Sequence, residues 1–222
     1  MKKFFREDIK WNVVFLFTVV FTVFFITIFP SDLQKLLYDL SFTLIFLVGY
    51  INSNRKHPMF LPLAISAVIL LWISAYFRLQ LLFAFSYSMN ILFFGYVTFY
   101  LVKHLATSKT VTPRIILESI ISYLLIGLIF SMIISLIFHF DPAAFSFPGS
   151  GAALPGTHLD DFIYFTFVTL STTGYGDIIP AQPYSRSLTI LIAITGQMYL
   201  AIIIATLVGK YIASRPQDRN EE

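Results

Sequence analysis

Leu170-Ser171-Thr172-Thr173-Gly174-Tyr175-Gly176-Asp177 decides how the rest of the 222 residues must be arranged. Glycine takes positive φ at no steric cost, so two glycines flanking a tyrosine let successive residues alternate backbone hand. That alternation turns the carbonyl oxygens of a short strand to one side. Four such strands around an axis would stack rings of oxygens able to replace the water shell of a dehydrated cation. The stretch lies between two long apolar runs and follows a semi-polar segment too short to cross a bilayer.

Composition agrees with that setting. Hydrophobic residues make up 57% of the chain and charged ones 12%, far from soluble proportions, so the expected environment is a lipid bilayer. A net charge of +3 on scattered basic residues is no nucleic-acid footprint, and nucleic acid is not expected as a partner. With no cysteine, disulfides and thiolate metal sites are excluded. His57, His104, His139 and His158 lack metal-ligand spacing and read as solvated interface residues.

Six runs have spanning length, at 11–29, 33–51, 59–77, 81–102, 115–138 and 187–212. The first lacks a small-residue cleavage site and reads as an uncleaved membrane helix. With the N-terminus inside, Lys2, Lys3, Arg6, Lys10, Arg55, Lys56, Lys103, Lys109, Arg114, Lys210, Arg215 and Arg219 are cytoplasmic. Only Lys35, Arg78 and Arg186 are outside, and that asymmetry sets the orientation. The outer side then carries Asp32, Asp39, Asp141, Asp160, Asp161 and Asp177, a surface suited to attracting cations. The expected fold is an all-α, multi-pass membrane protein with six transmembrane helices, one re-entrant half-helix with its loop, and both termini cytoplasmic.

TTGYGD at 172–177, DFIYFTFVTLS at 161–171, Pro180 just after, and Gly196 on the following run resemble the potassium channel family. The resemblance covers residues 112–212, about half the chain. It implies a potassium-selective channel of the plasma or inner membrane, a homotetramer with no organic cofactor and no enzymatic activity. Each chain supplies a single filter strand, so four are needed. Thr172, Thr173, Gly174, Tyr175 and Gly176 would supply oxygens to K+, with the Thr172 hydroxyl forming the innermost ring. Thr173 departs from the valine or isoleucine commonest there, but its side chain would point away from the ions. Val168 stands where some relatives carry a glutamate that pairs with the aspartate after the filter, so Asp177 needs another partner. Tyr164, Phe165 and Phe167 would pack around the filter, with Tyr175 turned into that cuff. Gly196 falls where relatives have a bending glycine.

Two parts are expected, residues 1–111 as a four-helix peripheral unit and 112–222 as a pore domain. The peripheral unit takes the place of a voltage sensor. Moving one charge yields about 2.3 kcal/mol per 100 mV, so a sensor needs several basic residues on its fourth helix. Residues 81–102 contain no Lys or Arg, and Ser86, Ser88 and Asn90 read as interhelical hydrogen-bonders. Asp39 and Arg78 are expected to form an ion pair near the outer face. Thr112-Pro113 should cap and open the fifth helix, with Glu118 pairing to Arg114 four residues earlier. Residues 141–157 read as an outer loop. Asp160 or Asp161 should cap the half-helix, whose C-terminal end would point a partial negative charge at the bilayer centre. Gln197, Leu200, Ile204 and Val208 share one face of the last helix and would line the pore, beside a small-residue stripe of Ala201, Ala205 and Gly209. Ten residues follow Ile212, so no cytoplasmic ligand domain is expected.

Three rival readings arise, the sharpest of them from a different class. Tyr38-Asp39 and Gly174-Tyr175-Gly176-Asp177 match the paired motifs of GxGD-type intramembrane aspartyl proteases, in which two aspartates share a proton. That chemistry needs both aspartates at matched depth within continuous spanning helices. A weakly selective cation channel tends to lose the filter tyrosine, which is present. A carrier would need internal repeats and several broken helices.

Overall fold

The computed structural model describes residues 2–52, 60–77, 80–147 and 159–213. Among these the chain forms α1 (Lys2–Phe24), α2 (Ser31–Asn52), α3 (Phe60–Phe77), α4 (Gln80–Thr107), α5 (Pro113–Phe140), α6 (Leu159–Leu170) and α7 (Pro183–Ala213). A two-residue strand β1 (Phe145–Ser146) pairs antiparallel with β2 (Ile179–Pro180). Among the described residues, five helices are long and apolar enough to cross a bilayer by length and composition, namely α1, α2, α4, α5 and α7, against the six spans expected. The apolar stretch of α3, Ala64–Ser74, is shorter. At 12 residues α6 cannot span.

α5 is the central post, packed against α4, α1 and α6. Its start follows from local chemistry: the Thr112 side chain accepts from Ile115 N–H, and Pro113 occupies the first turn, where a missing N–H costs nothing. The main core runs through α1 to α5 and reaches α6 at Leu159 and Ile163. Aromatic edges knit its middle, with Phe46 and Phe93 T-shaped at 4.5 Å. Phe24 of α1 meets Phe167 of α6 at 6.4 Å, which ties the first helix directly to the half-helix.

Several details differ from what the sequence leads one to expect. α6 begins at Leu159, so Asp160 and Asp161 lie inside its first turn and complement the helix dipole rather than cap it. Ser88 bonds back to the Ala84 carbonyl of its own helix at 2.8 Å, the local bond that serine makes easily. Asn90 is buried, and its Oδ1 has no hydrogen-bond partner among the described residues. The start of the outer loop is ordered, forming a single 3-10 turn at Pro142–Ala144 followed by β1. Arg78, the expected partner of Asp39, lies outside the described residues.

Candidate functional site

α6 ends where its sequence turns to serine and threonine, and the strand that follows is held by what the helix leaves unpaired. The Val168 carbonyl accepts from Thr173 N–H at 2.9 Å, and the Thr169 carbonyl from Thr172 N–H at 2.9 Å. Positive φ then recurs at every second residue: 61° at Thr172, 55° at Gly174 and 81° at Gly176. The glycines take this hand freely. Thr172 is β-branched, and such residues avoid it, so the neighbourhood enforces the alternation one residue beyond the glycines.

The outer end of the strand is tied down. Tyr164 Oη donates to Asp177 Oδ2 at 2.6 Å, while Asp177 Oδ1 accepts from Ile178 N–H at 3.1 Å. Tyr164 is therefore the partner Asp177 requires in the absence of a glutamate at Val168. The carboxylate it donates to pushes the Tyr164 hydroxyl up to about 12. The rings of Tyr164 and Tyr175 stack at 6.5 Å with planes 5° apart, while Tyr175 stays 71% exposed. Phe165 packs instead on Phe145 of β1 at 5.5 Å. Phe167 lies between Phe24 and Tyr123 and fills the space left by Gly127, where a Cβ would come within 2.3 Å of its ring. Val168 lines a cavity of about 500 Å³ behind the strand, with Phe24, Tyr123, Phe167 and Thr173.

A second strap lies past the filter stretch. Phe145 pairs with Pro180 and Ser146 with Ile179. Ser185 Oγ donates to the Ala144 carbonyl at 2.7 Å, and Ala181 N–H to the same oxygen at 2.9 Å. Tyr184 Oη donates to Asp141 Oδ2.

α7 approaches from the other side. A Cβ at Gly196 would lie 2.3 Å from the Leu170 carbonyl oxygen; only glycine lets the helix come that close. The side chain of Gln197 reaches the underside of the strand, with Nε2 3.5 Å from Thr172 Oγ1. Gln197, Leu200, Ile204 and Val208 all lie on the exposed side of α7. At the far end Glu118 is fully buried. Its carboxylate accepts from Arg114 Nε at 2.7 Å, the expected pair, and sits 2.5 Å from His104 Nδ1 of α4. Lys210 Nζ of α7 donates to the Leu105 carbonyl at 2.5 Å and the Ala106 carbonyl at 3.1 Å, the free acceptors at the end of α4. Sequence reasoning paired Glu118 with Arg114 and missed both His104 and Lys210. A glutamate inside an apolar run was the one signal that more than a single partner was needed.

A half-length helix, an extended stretch of alternating hand and a long apolar helix beneath it thus come together within residues 159–213. Residues 118–213 match the family model described as "Ion channel". Two plant proteins are similar over part of the chain. Two-pore potassium channel 4 of Arabidopsis thaliana is 38% identical over 53 residues, 24% of this chain and 19% of that protein. Two pore potassium channel c of Oryza sativa subsp. japonica is 39% identical over 67 residues, 26% of this chain and 15% of that protein. The chain thus spans less than a fifth of the length of either relative. No solved structure matches. Over this segment the chain is similar to two proteins named as potassium channels, the likeness that TTGYGD leads one to expect.

Proposed function

We propose that the chain is one subunit of a homotetrameric, potassium-selective channel of the plasma or inner membrane. K+ passes down its gradient through rings of oxygen from Thr172, Thr173, Gly174, Tyr175 and Gly176. The single observation that carries the reading is the positive φ at Thr172, Gly174 and Gly176. A strand alternating in this way can direct successive carbonyls to one side, the arrangement that substitutes for a hydration shell. The tie from Tyr164 to Asp177 and the strap from β1 to β2 would keep that strand extended. The C-terminal end of α6, the negative end of its dipole, would face the central cavity and favour a cation there. Gln197, Leu200, Ile204 and Val208 would line the inner pore, and 1–111 would serve as a peripheral unit without conventional voltage sensing.

The protease reading is disfavoured by where Asp177 lies. It follows a 12-residue helix and is bonded to Tyr164, whereas the paired-aspartate chemistry needs it within a spanning helix. The deciding experiment is reconstitution with potassium on one side and sodium on the other. A reversal potential close to the potassium equilibrium value supports the reading, and one near zero removes the claim of selectivity.

A further inference from the structure

We propose that Gln197 is the positioning residue for the innermost ion ring, a role that rests on the channel reading and deepens it. Gly196 presses α7 against the last carbonyl of α6, so the next side chain is delivered beneath the strand. Gln197 Nε2 stands 3.5 Å from Thr172 Oγ1. A hydroxyl offers one hydrogen and two lone pairs. The hydrogen of Thr172 goes to the Ser171 carbonyl at 2.7 Å. An amide nitrogen can only donate, so Gln197 draws on one lone pair, and the other is left for a cation. The hydroxyl is thus oriented from two sides, by the Ser171 carbonyl and by the Gln197 amide.

Thr172 needs such support because its φ of 61° is a conformation that β-branched residues rarely adopt. At 3.5 Å the contact is at the long end of hydrogen bonding, so the amide guides the hydroxyl and leaves it able to turn with ion occupancy. Gln197 in turn gains a partner for an amide that sits among apolar residues such as Ile194, Met198 and Leu200. The ligand served is a dehydrated monovalent cation at the ring nearest α7.

Barium has nearly the size of potassium and twice its charge, so its block reads the oxygen geometry of one ring. The test is barium block of the full-length protein in planar bilayers, applied separately from each side. Gln197→Met keeps the length and loses the donor. It should weaken block from the α7 side about five-fold, the size of one ordinary hydrogen bond, and leave block from the other side unchanged. Gln197→Asn remains polar but is one methylene short, and should behave like the methionine variant. In a Thr172→Val background, Gln197→Met should have no further effect. Wild-type block in Gln197→Asn, or a Met effect that persists in the valine background, overturns the role. A wild type without potassium selectivity overturns the channel reading and this one together. A selective wild type whose block ignores both Gln197 variants overturns this one alone.

Discussion

Tyr164 shows how one hydroxyl can stabilise a strand that is unstable by itself. Removing it with Tyr164→Phe keeps the ring that stacks on Tyr175 and deletes the donor to Asp177. The expected outcome is a filter that loses conductance faster during sustained recording, with the reversal potential unchanged in the first moments. The pH dependence has a definite sign. The phenol is raised from 10.0 to about 12 by its bond to the carboxylate. Its contribution is therefore complete below pH 10 and lost only as pH climbs through about 12. Raising outer pH from 7 to 9 should leave the wild-type decay rate unaltered, and a marked acceleration in that window would refute the bond. Gly196 carries a second prediction at this scale. Alanine there must displace the Leu170 carbonyl, an overpacking that costs about 1–3 kcal/mol, measurable as a lower thermal midpoint in detergent. The sequence placed Gly196 by analogy with a bending residue, whereas its neighbour is a backbone atom 26 positions away that no spacing rule contains. By contrast the alternating hand was legible at Gly174 and Gly176, because only glycine adopts it freely. Thr172 was not, since its φ is imposed from outside.

Between elements, the end of α4 is held twice, by Glu118 from α5 and by Lys210 from α7. The two sides of the Glu118 cluster are not equivalent. Arg114 and His104 are partly exposed and can return to water, but the Glu118 carboxylate is at 0% exposure. Deleting the partners of a buried charge costs about 3–5 kcal/mol. The double variant Arg114→Ala/His104→Ala should therefore destabilise by that amount. Glu118→Gln, which removes the charge itself and keeps an acceptor, should cost markedly less. Thermal unfolding of the purified variants gives the order, and the reverse order would mean that Glu118 is solvated. Lys210→Met removes a cation from the C-terminal carbonyls of α4 and should cost only about 0.3–1 kcal/mol. Its clearer sign would be a changed open probability, since it frees α7 from α4. The Arg114–Glu118 pair and the Thr112-Pro113 start were readable because they are local, within one helical turn. The links from Lys210 to Leu105 and from β1 to β2 span 105 and some 34 residues. Two-residue strands also carry no periodicity to detect, so the strap was read as part of an irregular loop.

For the molecule as a whole, the helix with the most apolar surface to cover is the one that should face the pore. Only 17% of the apolar window of α7 is buried, against 39% to 56% for the other four spanning helices. Lipid alone could cover Ile190 or Ile202, but a face carrying Gln197 needs water or protein. Four copies around an axis would supply both, with the amide facing a wet cavity and the small residues Ala201, Ala205 and Gly209 against a neighbour. Among the described residues nothing lies within 4 Å of the position a Gly209 Cβ would take, so space for close approach exists. The membrane character was legible from composition, and the single filter strand is what leads to the expectation of partner chains. How α1 packs on α5 was not, because a helix that is apolar on most sides gives no preferred face. The assembly can be tested cleanly because the chain has no cysteine of its own. Ala205→Cys introduces the sole thiol, so any disulfide-linked pair after mild oxidation comes from subunits meeting at that stripe. The particle before oxidation should weigh four times the 25.4 kDa chain once bound detergent is subtracted. Dimer bands with a tetrameric mass are the expected pair of results. A monomeric particle would leave each filter strand without the other three quarters of its ring, and the channel reading would fall with it.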